Sequence, residues 1–89
     1  MSWKMDWEVR VPKRVEETIK KFPYKDRARI MKALREFVID PWAGDIEKII
    51  DRENMWRRRV GNYRIFYSIQ VRTKIVEIKE IARRTSKTY

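Results

Sequence analysis

Hydrophobic and polar residues first alternate over a short N-terminal segment and then follow helical spacing. Residues 6–11 alternate polar with apolar, which predicts a β-strand. Pro12 is well placed to start a helix, and Val15, Ile19 and Phe22 then fall on one helical face. Pro23 ends this first predicted helix because it has no N–H to continue the hydrogen-bond ladder.

A second helix is predicted over about residues 26–39, where Asp40-Pro41 stops it. Because the link between the two helices is very short, we expect an antiparallel helix hairpin. Residues 41–54 are predicted to form a loop, with three isoleucines packed on the core. These are Ile46, Ile49 and Ile50.

From Met55 onward the pattern has the two-residue period of β-strands. Gly61-Asn62 is a hairpin turn signal, with glycine at the position that needs positive φ. A second turn near residues 72–74 precedes a third strand over residues 75–81. The predicted fold is α+β: an N-terminal strand, a helix hairpin and a three-strand antiparallel meander, with the helices on one face of the sheet. At 89 residues, the chain is expected to form a single domain over residues 1–89.

Composition removes several classes of chemistry. The chain has no cysteine and no histidine, which excludes disulfides, thiolate nucleophiles and the commonest metal ligand and general base. The acidic residues between positions 40 and 51 match no metal-binding loop, so no metal or cofactor is expected. The chain shows no signal peptide and no apolar run long enough to cross a membrane, so a cytoplasmic location is the simplest expectation.

Positive charge is concentrated in the C-terminal half. The formal net charge is +10, of which residues 1–51 carry +2 and residues 52–89 carry +8. In the second segment arginine outnumbers lysine eight to three, and the planar guanidinium suits phosphate because it donates two parallel hydrogen bonds. A polyanionic partner, either nucleic acid or an acidic protein, is favoured over a merely solvated surface.

Strand alternation separates the arginines of the predicted hairpin. Arg57 and Arg59 share one face of their strand, and Arg64 points away from the inward residues of the next strand. If these faces coincide, three guanidiniums line a sheet surface that the helices leave bare. Arg58 would then lie on the core side, either snorkelling at the edge or displaced by a bulge.

The run from Trp56 to Tyr67 resembles the central hairpin of RelE-type toxins, and the tail, with Arg83 followed six residues later by Tyr89, is similar to the RelE C-terminus. Together with the upstream strand and helix hairpin, the resemblance covers roughly residues 6–89. It implies a toxin of a toxin–antitoxin pair that cuts messenger RNA in the ribosomal A site without a metal. It also implies a RelB-like antitoxin partner that wraps the toxin and holds it inactive.

The resemblance further implies roles for individual residues. Tyr89 matches the family's general base, Arg83 its general acid, and Arg64 the arginine that stabilises the phosphate. Four more side chains are expected to bind the substrate, two of them where the best-known member has a lysine pair. They are Arg57 and Arg59, at the lysine positions, with Arg84 and Lys87 in the tail. The arginines and the terminal phenol are all expected on the bare face of the sheet.

Two other functions remain open. A ParE-like toxin of the same superfamily would inhibit gyrase by binding it and would need no catalytic tail. A basic nucleic-acid-binding module without activity would show steep salt dependence and no turnover.

Overall fold

The chain folds into two helices packed against one face of a six-stranded sheet. This computed structural model describes residues 1–83. Helix α1 spans Lys13–Lys20 and helix α2 spans Tyr24–Ile39, each preceded by a proline that caps it with extended backbone. The second helix therefore begins two residues earlier than the pattern predicts. Neither helix is long and apolar enough to cross a membrane within this part of the chain.

The sheet contains the predicted N-terminal strand and meander together with two further short strands. In chain order the strands are β1 (Ser2–Lys4), β2 (Glu8–Arg10), β3 (Ile46–Lys48), β4 (Met55–Val60), β5 (Tyr63–Gln70) and β6 (Ile75–Arg83). Their spatial order is β1-β2-β6-β5-β4-β3, with β2 parallel to β6 and all other pairs antiparallel. The α+β prediction is confirmed, and β1 and β3 extend the sheet beyond it at both edges.

The core lies between the helices and the inward face of β2, β4, β5 and β6. Tyr67 is fully buried, with its ring centroid 4.4 Å from that of Phe37, and its hydroxyl donates a 3.0 Å hydrogen bond to the Pro41 carbonyl. Tyr63 packs against Phe22 at 4.5 Å between ring centroids. The inward positions of β5 are the ones that alternation predicts: Tyr63, Ile65, Tyr67 and Ile69.

The turn between β4 and β5 fixes which residues face each other. Gly61 has φ of +58° while Asn62 does not have positive φ, a pattern typical of a two-residue type II′ turn. Val60 pairs directly with Tyr63 across this turn. The predicted hairpin turn is therefore confirmed.

The prediction of a loop over residues 41–54 with three isoleucines in the core is only partly confirmed. Residues 46–48 form the edge strand β3, and Ile46 does pack against the core. Ile50 is 94% exposed, so its predicted packing is wrong. Ile49 is half-buried but lines a cavity on the other side of the sheet. A three-residue strand is too short to show a two-residue period, and β3 forms because it pairs with β4. The sequence therefore did not predict it.

Arg58 occupies the core side of β4 without a bulge in that strand. Its side chain is 12% exposed and forms an ion pair with Glu36 of α2. Its guanidinium carbon also lies 5.4 Å from the Phe37 ring centroid, within range of a cation–π contact. Gly44 lies against the guanidinium, where an added Cβ would be 2.6 Å from Nε. Arg58 therefore connects the sheet to α2 and to the segment before β3.

Replacing Gly44 by alanine is expected to destabilise the protein by about 2 kcal/mol, because the residue has φ of +87° and the new Cβ would overlap a confined guanidinium. Gly61→Ala is the matched control: its φ is also positive, but a Cβ there meets only the flexible end of Arg29 at 3.3 Å. Urea unfolding of both variants measures the difference. Equal losses would show that the contact with Arg58 contributes nothing.

Tyr67→Phe is expected to change how stability depends on alkaline pH. Burial raises the pKa of Tyr67 above its ordinary 10.0, so the folded state keeps a proton that the unfolded state releases. The stability of the wild type should therefore fall above pH 10, by up to about 1.4 kcal/mol per pH unit from this group. At neutral pH the variant should be less stable by about 1 kcal/mol, since the hydrogen bond to Pro41 is lost.

Urea unfolding between pH 7 and 11 should show that deficit shrinking and then reversing. Tyr24→Phe is the control, because Tyr24 is 77% exposed. Parallel pH curves for the wild type and Tyr67→Phe would contradict the assignment.

Candidate functional site

Arg57, Arg59 and Arg64 lie on the sheet face opposite the helices. Arg59 pairs directly with Arg64 across β4 and β5, and Arg57 pairs with Phe66. Side chains of directly paired residues are neighbours on one face, with Cβ atoms about 5 Å apart. We call the surface formed by Met55, Arg57, Arg59, Arg64 and Phe66 the open face. The three arginines thus come together where strand alternation predicts them.

Two of these arginines are paired with carboxylates from the segment around β3. Arg57 forms an ion pair with Glu47, its direct partner across β3 and β4. Nε of Arg59 lies 3.5 Å from a carboxylate oxygen of Asp45. The acidic side chains are 69% and 72% exposed, and pairs this exposed contribute about 0–1 kcal/mol. A phosphate can therefore replace these carboxylates at little cost.

Arg64 differs from its two neighbours. Within residues 1–83, no carboxylate lies within ion-pair distance of its guanidinium. It is half-buried at the centre of the sheet, between the strands that carry Arg59 and Ala82. Among the arginines of the open face, it is the one most available to a bound anion.

Arg83 does not lie on the open face, and its expected placement there is wrong. It pairs with Tyr63, and its guanidinium carbon lies 5.9 Å from that ring's centroid, on the side of the helices. The cause is a β-bulge. Phe66 pairs with Glu80 while Tyr67 pairs with Ile78, so Lys79 is an extra residue that reverses the alternation of the rest of β6.

The remaining predicted site residues, Arg84, Lys87 and Tyr89, lie outside the described residues. Arg83 is the last described residue, and its side chain is exposed at the end of the sheet that carries Arg59 and Arg64.

A cavity that no sequence pattern predicts lies beside the arginines. It has a volume of about 350 Å³ and is lined by Ile49, Arg52, Met55, Phe66, Lys79 and Glu80. Strand alternation does place Phe66, a large apolar residue, on the open face, and this was the one sequence feature that indicated an apolar surface there. The contribution of Ile49 and Arg52 follows from the path of the connection between β3 and β4, which no pattern in the sequence specifies.

The described tyrosines are not suited to proton transfer near neutral pH. Burial and a 2.8 Å hydrogen bond to Asp26 raise the pKa of Tyr63, and burial raises the pKa of Tyr67. Both phenols also point away from the open face, because they belong to the inward set of β5. Tyr24 is exposed, but it lies at the start of α2.

The open face therefore supplies preorganised cationic donors rather than a described acid–base pair. Guanidinium groups bind phosphate oxygens through charge-assisted hydrogen bonds, and they stabilise negative charge that develops on a reacting phosphate.

Comparison with known proteins identifies the family. The model for the ParE toxin of type II toxin–antitoxin systems (parDE) matches residues 9–87. The chain belongs to this toxin family. It is accordingly a toxin of a type II toxin–antitoxin system within the RelE/ParE superfamily. No curated protein matches the chain significantly.

Solved structures show that the toxin has the RelE fold. The archaeal RelE–RelB complex from Pyrococcus horikoshii OT3 matches with a TM-score of 0.81 and 22% identity, covering 93% of this chain and 100% of that one. Isolated E. coli RelE matches with a TM-score of 0.74 and 15% identity, over 89% and 85% of the two chains. The RelB–RelE complex from Methanococcus jannaschii matches with a TM-score of 0.69 and 25% identity, over 82% and 87%.

Glu47→Gln is expected to strengthen the binding of a short single-stranded RNA, because it releases Arg57 from its carboxylate without changing side-chain size. We expect severalfold tighter binding at low salt and a steeper salt dependence, by up to about 0.7 in the log–log slope for one added phosphate contact. Fluorescence anisotropy over a salt series measures both.

The matched control is Glu17→Gln, which makes the same change in net charge on α1. An equal gain in both variants would mean that net charge alone controls binding.

Proposed function

We propose that this toxin is a ribosome-dependent endoribonuclease that cleaves messenger RNA in the A site and so inhibits translation. The observation that carries the proposal is the convergence of Arg57, Arg59 and Arg64 on one uncovered sheet face. The chain has no histidine, so charge stabilisation has to supply much of the catalysis.

RNA cleavage needs no external nucleophile. The ribose 2′-oxygen attacks the adjacent phosphorus, and the bond from phosphorus to the 5′-oxygen of the next nucleotide breaks. A base takes the 2′-hydroxyl proton, and an acid returns a proton to the departing 5′-oxygen. Between these events the phosphate carries extra negative charge, which arginine donors are suited to stabilise. We assign this role to Arg64, with Arg57 and Arg59 holding the neighbouring phosphates.

Tyr89 is the proposed general base. Of the four tyrosines in the chain, Tyr63 and Tyr67 are buried with raised pKa values, and Tyr24 lies on a helix. A phenol surrounded by cations ionises more readily than one in water. Arg84 and Lys87, in the same tail, are proposed to bind the substrate.

Arg83 is the proposed general acid, acting from the end of β6. An arginine is a weak acid because the delocalised guanidinium holds its proton very tightly, so this step should be slow. Its position beside Tyr63 means that its guanidinium would have to reach the phosphate around the end of the sheet. Its contribution should therefore be smaller than that of Arg64.

A weak acid and a phenol base explain why the enzyme would depend on the ribosome. Holding the 2′-oxygen in line with the bond that breaks can lower the barrier by about 7–11 kcal/mol. The ribosome supplies that orientation for messenger RNA in the A site, so cleavage of naked RNA should be much slower.

An antitoxin is the proposed protein partner. The Pyrococcus and Methanococcus relatives are complexes of RelE with RelB. In this chain, a net charge of +10 and the arginines of the open face favour an acidic or amphipathic partner segment that lies across that face. Such binding should weaken with salt.

Inhibition of gyrase is the second candidate function. The observation that favours it is the match of the ParE family model over residues 9–87. Under this function the open face is a binding surface only, and no residue of the tail takes part in chemistry.

Arg64→Ala is expected to lower ribosome-dependent cleavage by about 100- to 1000-fold, because it removes the donor that we assign to the developing charge. Primer extension on messenger RNA from cells that express the toxin should show cuts within translated codons, and these cuts should disappear in Arg64→Ala and Tyr89→Phe. Arg83→Ala should reduce them less. The matched control is Arg72→Ala, since Arg72 is exposed in the turn between β5 and β6.

Growth arrest without any cuts, together with loss of gyrase supercoiling activity, would overturn the nuclease proposal in favour of gyrase. If the protein binds RNA but causes neither cuts in messenger RNA nor loss of gyrase activity, it is a nucleic-acid-binding module without activity.

A further inference from the structure

The cavity of about 350 Å³ on the open face has an apolar surface that lies beside the arginines of that face. Phe66, Met55 and Ile49 supply apolar side chains. The charged lining residues are Arg52, Lys79, which is ion-paired with Glu77, and Glu80, which pairs with Phe66 across β5 and β6. Phe66 is half-buried on the face away from the core, so part of its ring is accessible from the cavity. An aromatic ring in a basic groove is the combination by which proteins hold single-stranded nucleic acid.

The cavity is next to the proposed phosphate site. Phe66 pairs directly with Arg57 and lies two residues after Arg64 on the same strand face. The Cβ atoms of Phe66 and Arg57 are therefore about 5 Å apart, and those of Phe66 and Arg64 are about 7 Å apart. The ring and both guanidiniums can therefore contact neighbouring parts of one nucleotide chain.

Phe66 does not belong to the main hydrophobic core. The inward residues of β5 make the core, and Phe66 alternates with them. Instead, Phe66 lines the cavity on the opposite face together with Ile49 and Met55.

We propose that this cavity binds one base of the single-stranded RNA whose phosphates lie on Arg57 and Arg64, with the base stacked on Phe66. This inference rests on the proposed function and names a subsite of the same surface. The occupant is a nucleobase rather than an apolar side chain of a protein, because the arginines beside the ring match the phosphates that accompany every base.

The test compares RNA hexamers with and without bases. Fluorescence anisotropy measures the Kd of the full chain for a 2′-O-methyl hexauridylate, which cannot be cleaved, and for an abasic ribose-phosphate hexamer of the same charge. The wild type should bind the base-bearing hexamer about 5- to 100-fold more tightly. Equal affinities would overturn the proposal, and because this comparison uses only the wild type, it does not depend on the stability of a variant.

Variants then locate the effect. Phe66→Ala should remove most of the preference for hexauridylate and leave the affinity for the abasic hexamer unchanged, while Phe66→Trp should retain the preference. Phe66→Leu keeps the site apolar and serves if the alanine variant loses its cooperative thermal unfolding. A preference that survives both truncations would overturn the assignment to Phe66.

Arg64→Gln separates this inference from the function on which it rests. It should weaken binding of both hexamers equally and reduce the salt dependence, because it removes a phosphate contact. If Arg64→Gln weakens binding and Phe66→Ala does not, the phosphate site stands and the base site fails. If neither variant changes RNA affinity, the RNA interface itself is wrong.

Loss of antitoxin binding in Phe66→Ala, with RNA affinity unchanged, would make a protein side chain the occupant and overturn the proposal.

Discussion

The pairing register of β4 with β5 is the constraint on which the candidate site depends. A shift by one residue would move every side chain of a strand to the other face of the sheet. The register is fixed by burial, because Tyr63, Ile65 and Tyr67 are each at most 3% exposed, and burying such side chains contributes about 1.5–3 kcal/mol each. The turn at Gly61 brings Val60 opposite Tyr63, which is the same pairing register that burial of the core residues favours. The core thus determines that Arg59 and Arg64 face away from it.

Three consecutive arginines have two different roles because of the same alternation. Arg57 and Arg59 have exposed, readily exchanged carboxylate partners, whereas Arg58 is enclosed by Glu36, Phe37 and Gly44. Only the Arg58 side of its ion pair is largely buried, since Glu36 is 41% exposed. Removing Glu36 would leave that buried guanidinium unpaired, which costs more than breaking an exposed pair at about 1 kcal/mol or less. Arg58 therefore stabilises the hairpin against α2, whereas Arg57 and Arg59 can exchange their exposed carboxylate partners for another anion.

The sequence predicts those parts of the fold in which periodicity and local turn chemistry agree. The meander, its glycine turn and both helices were predicted in this way. β3 was not, because three residues give no period and Ile46–Lys48 is a strand only through its pairing with β4. The bulge at Lys79 was missed as well, and it reverses the face of Arg83. A signal was present: Val76 and Ile78 are two residues apart, but the next buried residue, Ile81, comes three residues later. The carboxylates that pair with Arg57 and Arg59 could not be anticipated, since their positions follow from β3.

Under the proposed function, the weak ion pairs of the open face bear on how such a toxin is controlled. Glu47 and Asp45 keep Arg57 and Arg59 satisfied in the free protein, so the folded toxin does not leave these cations unpaired. Any anion that binds there must replace a carboxylate that contributes little stability, whether it is an RNA phosphate or an acidic side chain of an antitoxin. The two partners would compete for the same guanidiniums, so antitoxin and messenger RNA could not occupy the face together. Inhibition would then follow from occupancy alone, without a conformational change in the sheet.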